Sequence, residues 1–114
     1  NDTPIEVWGD GSSVRDYIYI DDLITICVMA GKTEIMGTFN VGSGIGNSVK
    51  EIISSIESIT GLKANVNYLK ARRFDVKSVV LDISETKKSF SWQINYDLFE
   101  GIKKYHDRLK DIDA

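Results

Sequence analysis

The chain has 114 residues, 42% of them apolar and 27% charged, with a formal net charge of −3. That composition suits one globular domain or part of one, and the acidic balance argues against nucleic acid or an anionic membrane surface as partner. No apolar run approaches ~20 residues, so no transmembrane helix is expected, no secretory leader is visible, and the single cysteine, Cys27, cannot close an internal disulfide, which points to a reducing, cytoplasmic location.

In chain order, Ile5-Glu6-Val7-Trp8 has strand composition and stops at the turn Gly9-Asp10-Gly11. Val14 to Ile20 reads as a second strand, with Arg15, Tyr17 and Tyr19 on one face and Asp16, Ile18 and Ile20 on the other. Asp21 or Asp22 is placed to cap the next helix. That helix runs to Ala30 and is apolar almost all round, which predicts burial, with Cys27 as a core filler. Thr38 to Val41 reads as an interior strand, followed by the glycine-rich loop Gly42–Asn47. Ser48 and Glu51 form a capping box, and Val49, Ile52, Ile53, Ile56 and Ile59 recur at helical spacing. Gly61 stops that helix. Ala64, Val66 and Tyr68 alternate with asparagines, as in a half-exposed strand.

Lys70 to Asp75 is a basic loop closed by an acid. Ser78 to Leu81 is a short extended piece, and Asp82 starts a short helix over Ser84–Ser89 that Phe90 and Trp92 anchor to the core. Asp97 and Glu100 form a second capping box. Leu98, Ile102, Tyr105 and Leu109 make the apolar stripe of the last helix, where Gly101 costs ~1 kcal/mol relative to Ala. From Lys110 the polar tail is expected to fray. The fold class is α/β, with short strands and about three main helices. The chain begins at Asn1 without Met and is strand-like by Ile5, so it reads as a piece of a longer protein.

Several residues carry candidate chemistry. Thr38 to Glu51 has the strand, loop and helix order of a dinucleotide-binding unit, but Asn47 stands where the third glycine is needed and the strand that should end in an acid ends at Lys70. It reads instead as a tight loop whose amides and Asn47 face a ligand or merely turn the chain. In either case the helix start favours an anion. Arg15 and Arg72 have the guanidinium fork that matches adjacent phosphates, each bond contributing roughly 1.5–3 kcal/mol when shielded. The plainer reading pairs Arg15 with a carboxylate and leaves Arg72 in solvent. Asp75 can accept bonds from ribose hydroxyls, or it is a surface acid paired with Arg72. Tyr17 lines a pocket or is half-buried core, while Asp16, on the opposite face, is structural. His106 suits the C-terminal dipole of the last helix rather than catalysis. Lys70, Arg72 and Arg73 lack the interleaved aromatic residues of a nucleic-acid surface, and no Cys/His set has metal-ligand spacing.

The run Gly9-Asp10-Gly11-x-x-Val14-Arg15-Asp16-Tyr17-Ile18-x-Ile20-x-Asp22-Leu23 resembles the substrate-domain signature of the NAD-dependent epimerase/dehydratase family, the extended short-chain dehydrogenases. Phe39-Asn40-Val41-Gly42-x-Gly44, Asn47-Ser48-Val49-x-Glu51-Ile52, Arg72-x-x-Asp75-Val76, Leu81-Asp82-Ile83-Ser84 and Leu98-x-Glu100-Gly101-Ile102 follow in the family's order, with Trp92 between the last two. The resemblance implies a Rossmann half that holds NAD and a C-terminal half that holds the nucleotide sugar, with residues 1–114 as that C-terminal, substrate-binding domain. It implies epimerisation at C4 of a UDP-sugar such as UDP-glucose, by transient oxidation and hydride return, with a Tyr-x-x-x-Lys tyrosine as base. By matching positions, Arg15 and Arg72 would converge on the diphosphate. Tyr17 would line the pocket, Val49 would pack near the nucleotide and Asp75 would bind ribose. It also implies a homodimer for the full-length protein.

Two family features are missing. No tyrosine here has Lys four residues later, and the Gly-x-x-Gly-x-x-Gly cofactor loop is not present. No catalytic residue is therefore assigned, and the chain alone is expected to be inactive. The same half of a dehydratase or decarboxylase, or a non-catalytic interaction domain, remains an alternative.

Overall fold

A computed structural model describes residues 3–113. Its elements are β1 (Ile5–Trp8), β2 (Val14–Asp16), α1 (Ile20–Gly31), β3 (Gly46–Ser48), α2 (Val49–Thr60), β4 (Val66–Leu69), α3 (Ser84–Phe90) and α4 (Leu98–Asp113). The fold is mixed α/β, with short strands and four helices among the described residues. β1 pairs in parallel with β4, Ile5 opposite Val66. β2 pairs antiparallel with β3, Arg15 opposite Asn47.

Local chemistry explains most boundaries. Gly9 and Gly11 take positive φ, and the Asp10 carboxylate between them accepts the Ser12 amide at 2.9 Å. Ser48 accepts the Glu51 amide at 3.1 Å and so caps α2, but the Glu51 carboxylate turns to the Asn47 side-chain amide instead of closing the box. Gly61 ends α2 in the left-handed region. The Asp97–Glu100 box closes in both directions. Gly101 has a packing reason: a Cβ there would come within 3.2 Å of Tyr19. The last helix runs to Asp113, past the point where fraying was expected.

Several expectations need correction. The strand from Val14 ends at Asp16, because the chain turns at Tyr17 to Tyr19 and α1 begins at Ile20. Neither Asp21 nor Asp22 caps α1. Asp22 instead points inward, 1% exposed, and accepts the amides of Asn95 and Tyr96, both at 3.1 Å. Asp21 accepts from Lys104 at 3.1 Å. Thr38 to Val41 forms no ladder. The Asn40 carbonyl accepts the Thr86 hydroxyl, and the Asn40 side chain donates to the Asp82 carbonyl at 3.2 Å, so side chains take the place of a neighbouring strand there.

The core is small. Ile26, Ile83, Phe90 and Trp92 are buried together, with Leu23, Phe39, Val41 and Leu81 packed around them, so the expected anchoring by Phe90 and Trp92 holds. The molecule is a plate, 49 × 42 × 17 Å. A plate leaves one side of each helix open. On α1, Ile20, Ile24 and Val28 are about half exposed and Cys27 is exposed, so the helix is not buried all round and Cys27 is not a core filler. No helix among the described residues is long and apolar enough to cross a membrane.

Candidate functional site

β2 is the pivot of the site. Val14 is bridged to Ser48 on one side and to Ser78 on the other. The Val14 amide donates to the Lys77 carbonyl at 2.8 Å, and the Val79 amide donates to the Val14 carbonyl at 3.0 Å. The run after Asp75 is therefore laid along β2. Asp16, two residues on and so on the same face as Val14, closes that run: its carboxylate accepts the Leu81 amide at 3.2 Å. It also accepts the Ser43 amide and hydroxyl, each at 2.7 Å, and the Gly44 amide at 2.9 Å. Burial alone would push this carboxyl up, but the bonds from Ser43, Gly44 and Leu81 together outweigh it and hold Asp16 below the ordinary value. Asp16 is thus structural, as its face in the sequence indicated.

This geometry settles the glycine-rich loop. A Cβ at Gly42 would lie 2.7 Å from an Asp16 carboxylate oxygen, and one at Gly46 would lie 2.5 Å from Val14. The glycines let the loop press against β2. The Ser43 and Gly44 amides are spent on Asp16, so they are not a cradle for a dinucleotide phosphate. The start of α2 is likewise occupied. Val49 donates to the Ser13 carbonyl at 3.3 Å, Lys50 to the Gly11 carbonyl at 3.0 Å, and Glu51 to Ser48. The expected preference of that helix start for an anion is not supported, because its first amides are already bonded.

The five candidate residues fall into two arms. On β2, Arg15 is half-buried and donates to its own neighbour, the Val14 carbonyl, at 2.8 Å. Tyr17 follows, 36% exposed, on the wall shared by two clefts. One, of about 940 Å³, also takes in Asn47, Lys50 and Tyr96. The other, of about 360 Å³, is apolar and also takes in Ile52, Leu98 and Tyr105. Val49, half-buried, starts α2 beside this arm.

The second arm is the loop after β4. Arg72 donates from Nε to Asp75 at 3.0 Å, and its guanidinium lies 5.4 Å from the Trp8 ring centroid and 5.2 Å from that of Phe74. Such stacking holds a guanidinium flat without consuming its terminal donors. Arg72 and Asp75 are brought together, which is the plainer of the sequence readings for Asp75. Arg15 and Arg72 are not placed in a common cleft: neither lines either of the two. The 75–81 run leads from the Arg72 loop back to β2, and Trp8, against which Arg72 lies, leads there through the Gly9–Gly11 turn.

Sequence reasoning passed over Trp8, Phe74 and Lys50. Trp8 is 50% exposed at the end of β1, and Phe74 is 78% exposed. Lys50 crosses Gly11 to place its ammonium 6.0 Å from the Tyr68 ring centroid, between the two arms. Strand composition placed Trp8 at the end of β1, but only the parallel register opposite Leu69 brings it beside the 70–75 loop.

The comparisons with known proteins agree with this architecture. The model of the NAD dependent epimerase/dehydratase family matches residues 1–42. UDP-glucuronate 4-epimerase of Thermodesulfobacterium geofontis is 35% identical over 102 residues, covering 89% of this chain and 32% of that protein. A putative UDP-glucose 4-epimerase of Methanocaldococcus jannaschii is 35% identical over 112 residues, covering 96% of this chain and 35% of the relative. Among solved structures, UDP-glucuronic acid 4-epimerase from Bacillus cereus, in complex with UDP-glucuronic acid and NAD, superposes with a TM-score of 0.87 at 33% identity, over 97% of this chain and 36% of that one. UDP-glucose 4-epimerase from Thermotoga maritima, with UDP-glucose, gives 0.88 at 29% identity over the same shares. The fold matches about a third of each of these Rossmann-type structures. The chain belongs to the NAD-dependent epimerase/dehydratase family, the extended short-chain dehydrogenases, and spans about a third of the length of these relatives.

Proposed function

We propose that residues 1–114 are the nucleotide-sugar-binding C-terminal domain of a UDP-sugar 4-epimerase. Arg15 and Arg72 contact the diphosphate, Asp75 the ribose, Tyr17 the pocket wall, and Val49 packs near the nucleotide. The observation that carries this reading is the Arg72 arm: a guanidinium pinned by Asp75 and laid against two exposed aromatic rings. A fixed fork suits a phosphate, and an exposed ring beside it suits a base. The matched relatives support a UDP-sugar as ligand class, since their solved forms hold UDP-glucose or UDP-glucuronic acid.

NAD is the cofactor we propose for the full-length protein, as it is present in the B. cereus structure. The glycine loop here does not fit it, because the Ser43 and Gly44 amides are engaged by Asp16. NAD binding is therefore assigned to residues other than the described ones, and no catalytic group is assigned within this chain. The full-length protein is proposed to act as a cytoplasmic homodimer. Calorimetric titration of the chain with UDP tests the binding role. The expected result is saturable binding that weakens about tenfold in Arg72→Ala, the loss of one charge-assisted contact. Absence of UDP binding, or equal binding by Arg72→Ala, contradicts it and favours an interaction domain without a nucleotide pocket.

A further inference from the structure

We propose that Asp16 is a positioning residue for nucleotide recognition, fastening the 42–46 loop and the 77–81 run onto β2 and so fixing Arg15 relative to the Arg72–Asp75 arm. The inference rests on the reading of Arg15 and Arg72 as diphosphate contacts.

β2 is only three residues long, and Arg15 is its middle residue. Its two neighbours hold it from both sides. Val14 exchanges main-chain bonds with Lys77 and Val79. Asp16 receives the next amide along that same run, Leu81, on the oxygen that also accepts Gly44. The other oxygen accepts the Ser43 amide and hydroxyl. A carboxylate offers about four acceptor sites, and here each is used. Lys77 lies two residues after Asp75, a tether that reaches at most roughly 7 Å. Asp75 in turn holds Arg72 by its Nε. Placing the 77–81 run against β2 therefore places the Arg72 arm with respect to Arg15.

The simpler role, neutralising the adjacent arginine, is not what the side chains do. Arg15 donates to the Val14 carbonyl, and Asp16 has no free acceptor left for it. Nor can an amide replace the acid. Asparagine has a single acceptor oxygen, and its NH₂ group would face donors. The loop is shaped for the carboxylate: Gly42 lacks the Cβ that would lie 2.7 Å from Asp16.

The test uses the 114-residue chain with Asp16→Asn, Ser43→Ala and Arg15→Ala, singly and combined. Without nucleotide, Asp16→Asn is expected to shift the Arg15 Nε–H resonance and to speed Leu81 amide exchange at least tenfold. With UDP, it is expected to weaken affinity about tenfold, and Asp16→Asn with Arg15→Ala is expected to bind no more weakly than Arg15→Ala alone, because the acid acts through the arginine. An Arg15 resonance unmoved by Asp16→Asn, or additive losses in the combined variant, overturns the proposal. Should Asp16→Asn not fold, Ser43→Ala, which removes only the hydroxyl, decides it: a smaller shift at Arg15 supports the proposal and no shift overturns it. If the unaltered chain binds no UDP, the nucleotide reading fails, and the nucleotide-free measurements still decide whether Asp16 sets Arg15.

Discussion

The two arginine arms are built in opposite ways. Arg15 sits in a strand that is bonded on both sides, beside a carboxylate with every acceptor filled. Arg72 sits on an irregular loop, its side chain 46% exposed, held by one carboxylate and two rings. The first guanidinium owes its position to the backbone around it, the second to side chains it touches directly. Changes near Arg15 should therefore act on folding and binding together, whereas changes at Arg72 should act on binding alone.

The largest expected effect lies outside both arms and sets the scale for them. Asp22→Ala leaves the Asn95 and Tyr96 amides without their buried acceptor, and urea unfolding is expected to show a loss of about 3 kcal/mol. Gly46→Ala strikes the Arg15 arm next. Its Cβ meets Val14 at 2.5 Å and Val80 at 2.7 Å, and the strain should lower stability by roughly 2 kcal/mol. Arg72→Ala sharpens the contrast: UDP affinity falls about tenfold, or ~1.4 kcal/mol, while stability stays within ~0.5 kcal/mol, as for other exposed ion pairs. A stability loss in Arg72→Ala comparable with that of Gly46→Ala would erase the distinction between the arms.

The smallest effect is on pH dependence. The folded Asp16 carboxyl is held below its ordinary value, so its contribution is complete above the unfolded-state pKa and is lost as pH falls through the lower folded one. Asp16→Asn should therefore flatten the acid limb of a stability-versus-pH curve below about pH 4. Some slope should persist, because Ser12 and Ser84 hold Asp10 and Asp82 low as well. An unchanged limb would mean that Asp16 is not the ionised hub described.

What was legible in the sequence was local. The capping residues Ser48 and Asp97, the glycine stop at Gly61 and the strand over Ile5–Trp8 follow from chemistry within a few residues. What was not legible depends on distant partners. Asp22 reads as a helix cap until the 95–96 backbone arrives to claim it. Thr38 to Val41 has strand composition, but its partners here are Thr86 and Asp82 side-chain and backbone groups rather than a ladder. The glycines of 42–46 look like a phosphate loop because bare backbone serves a half-buried carboxylate as well as it serves a bound anion. At the candidate site, Arg15, Arg72 and Asp75 stood out by residue type. Trp8 did not, because an aromatic residue at a strand end acquires meaning only from the strand beside it.

Nuclear magnetic resonance of the two arginine Nε–H groups during titration with UDP tests the central claim most directly. Both resonances are expected to shift along one saturation curve, with a single dissociation constant. Movement of only one of them, or two curves with different midpoints, would contradict a shared diphosphate between the arms.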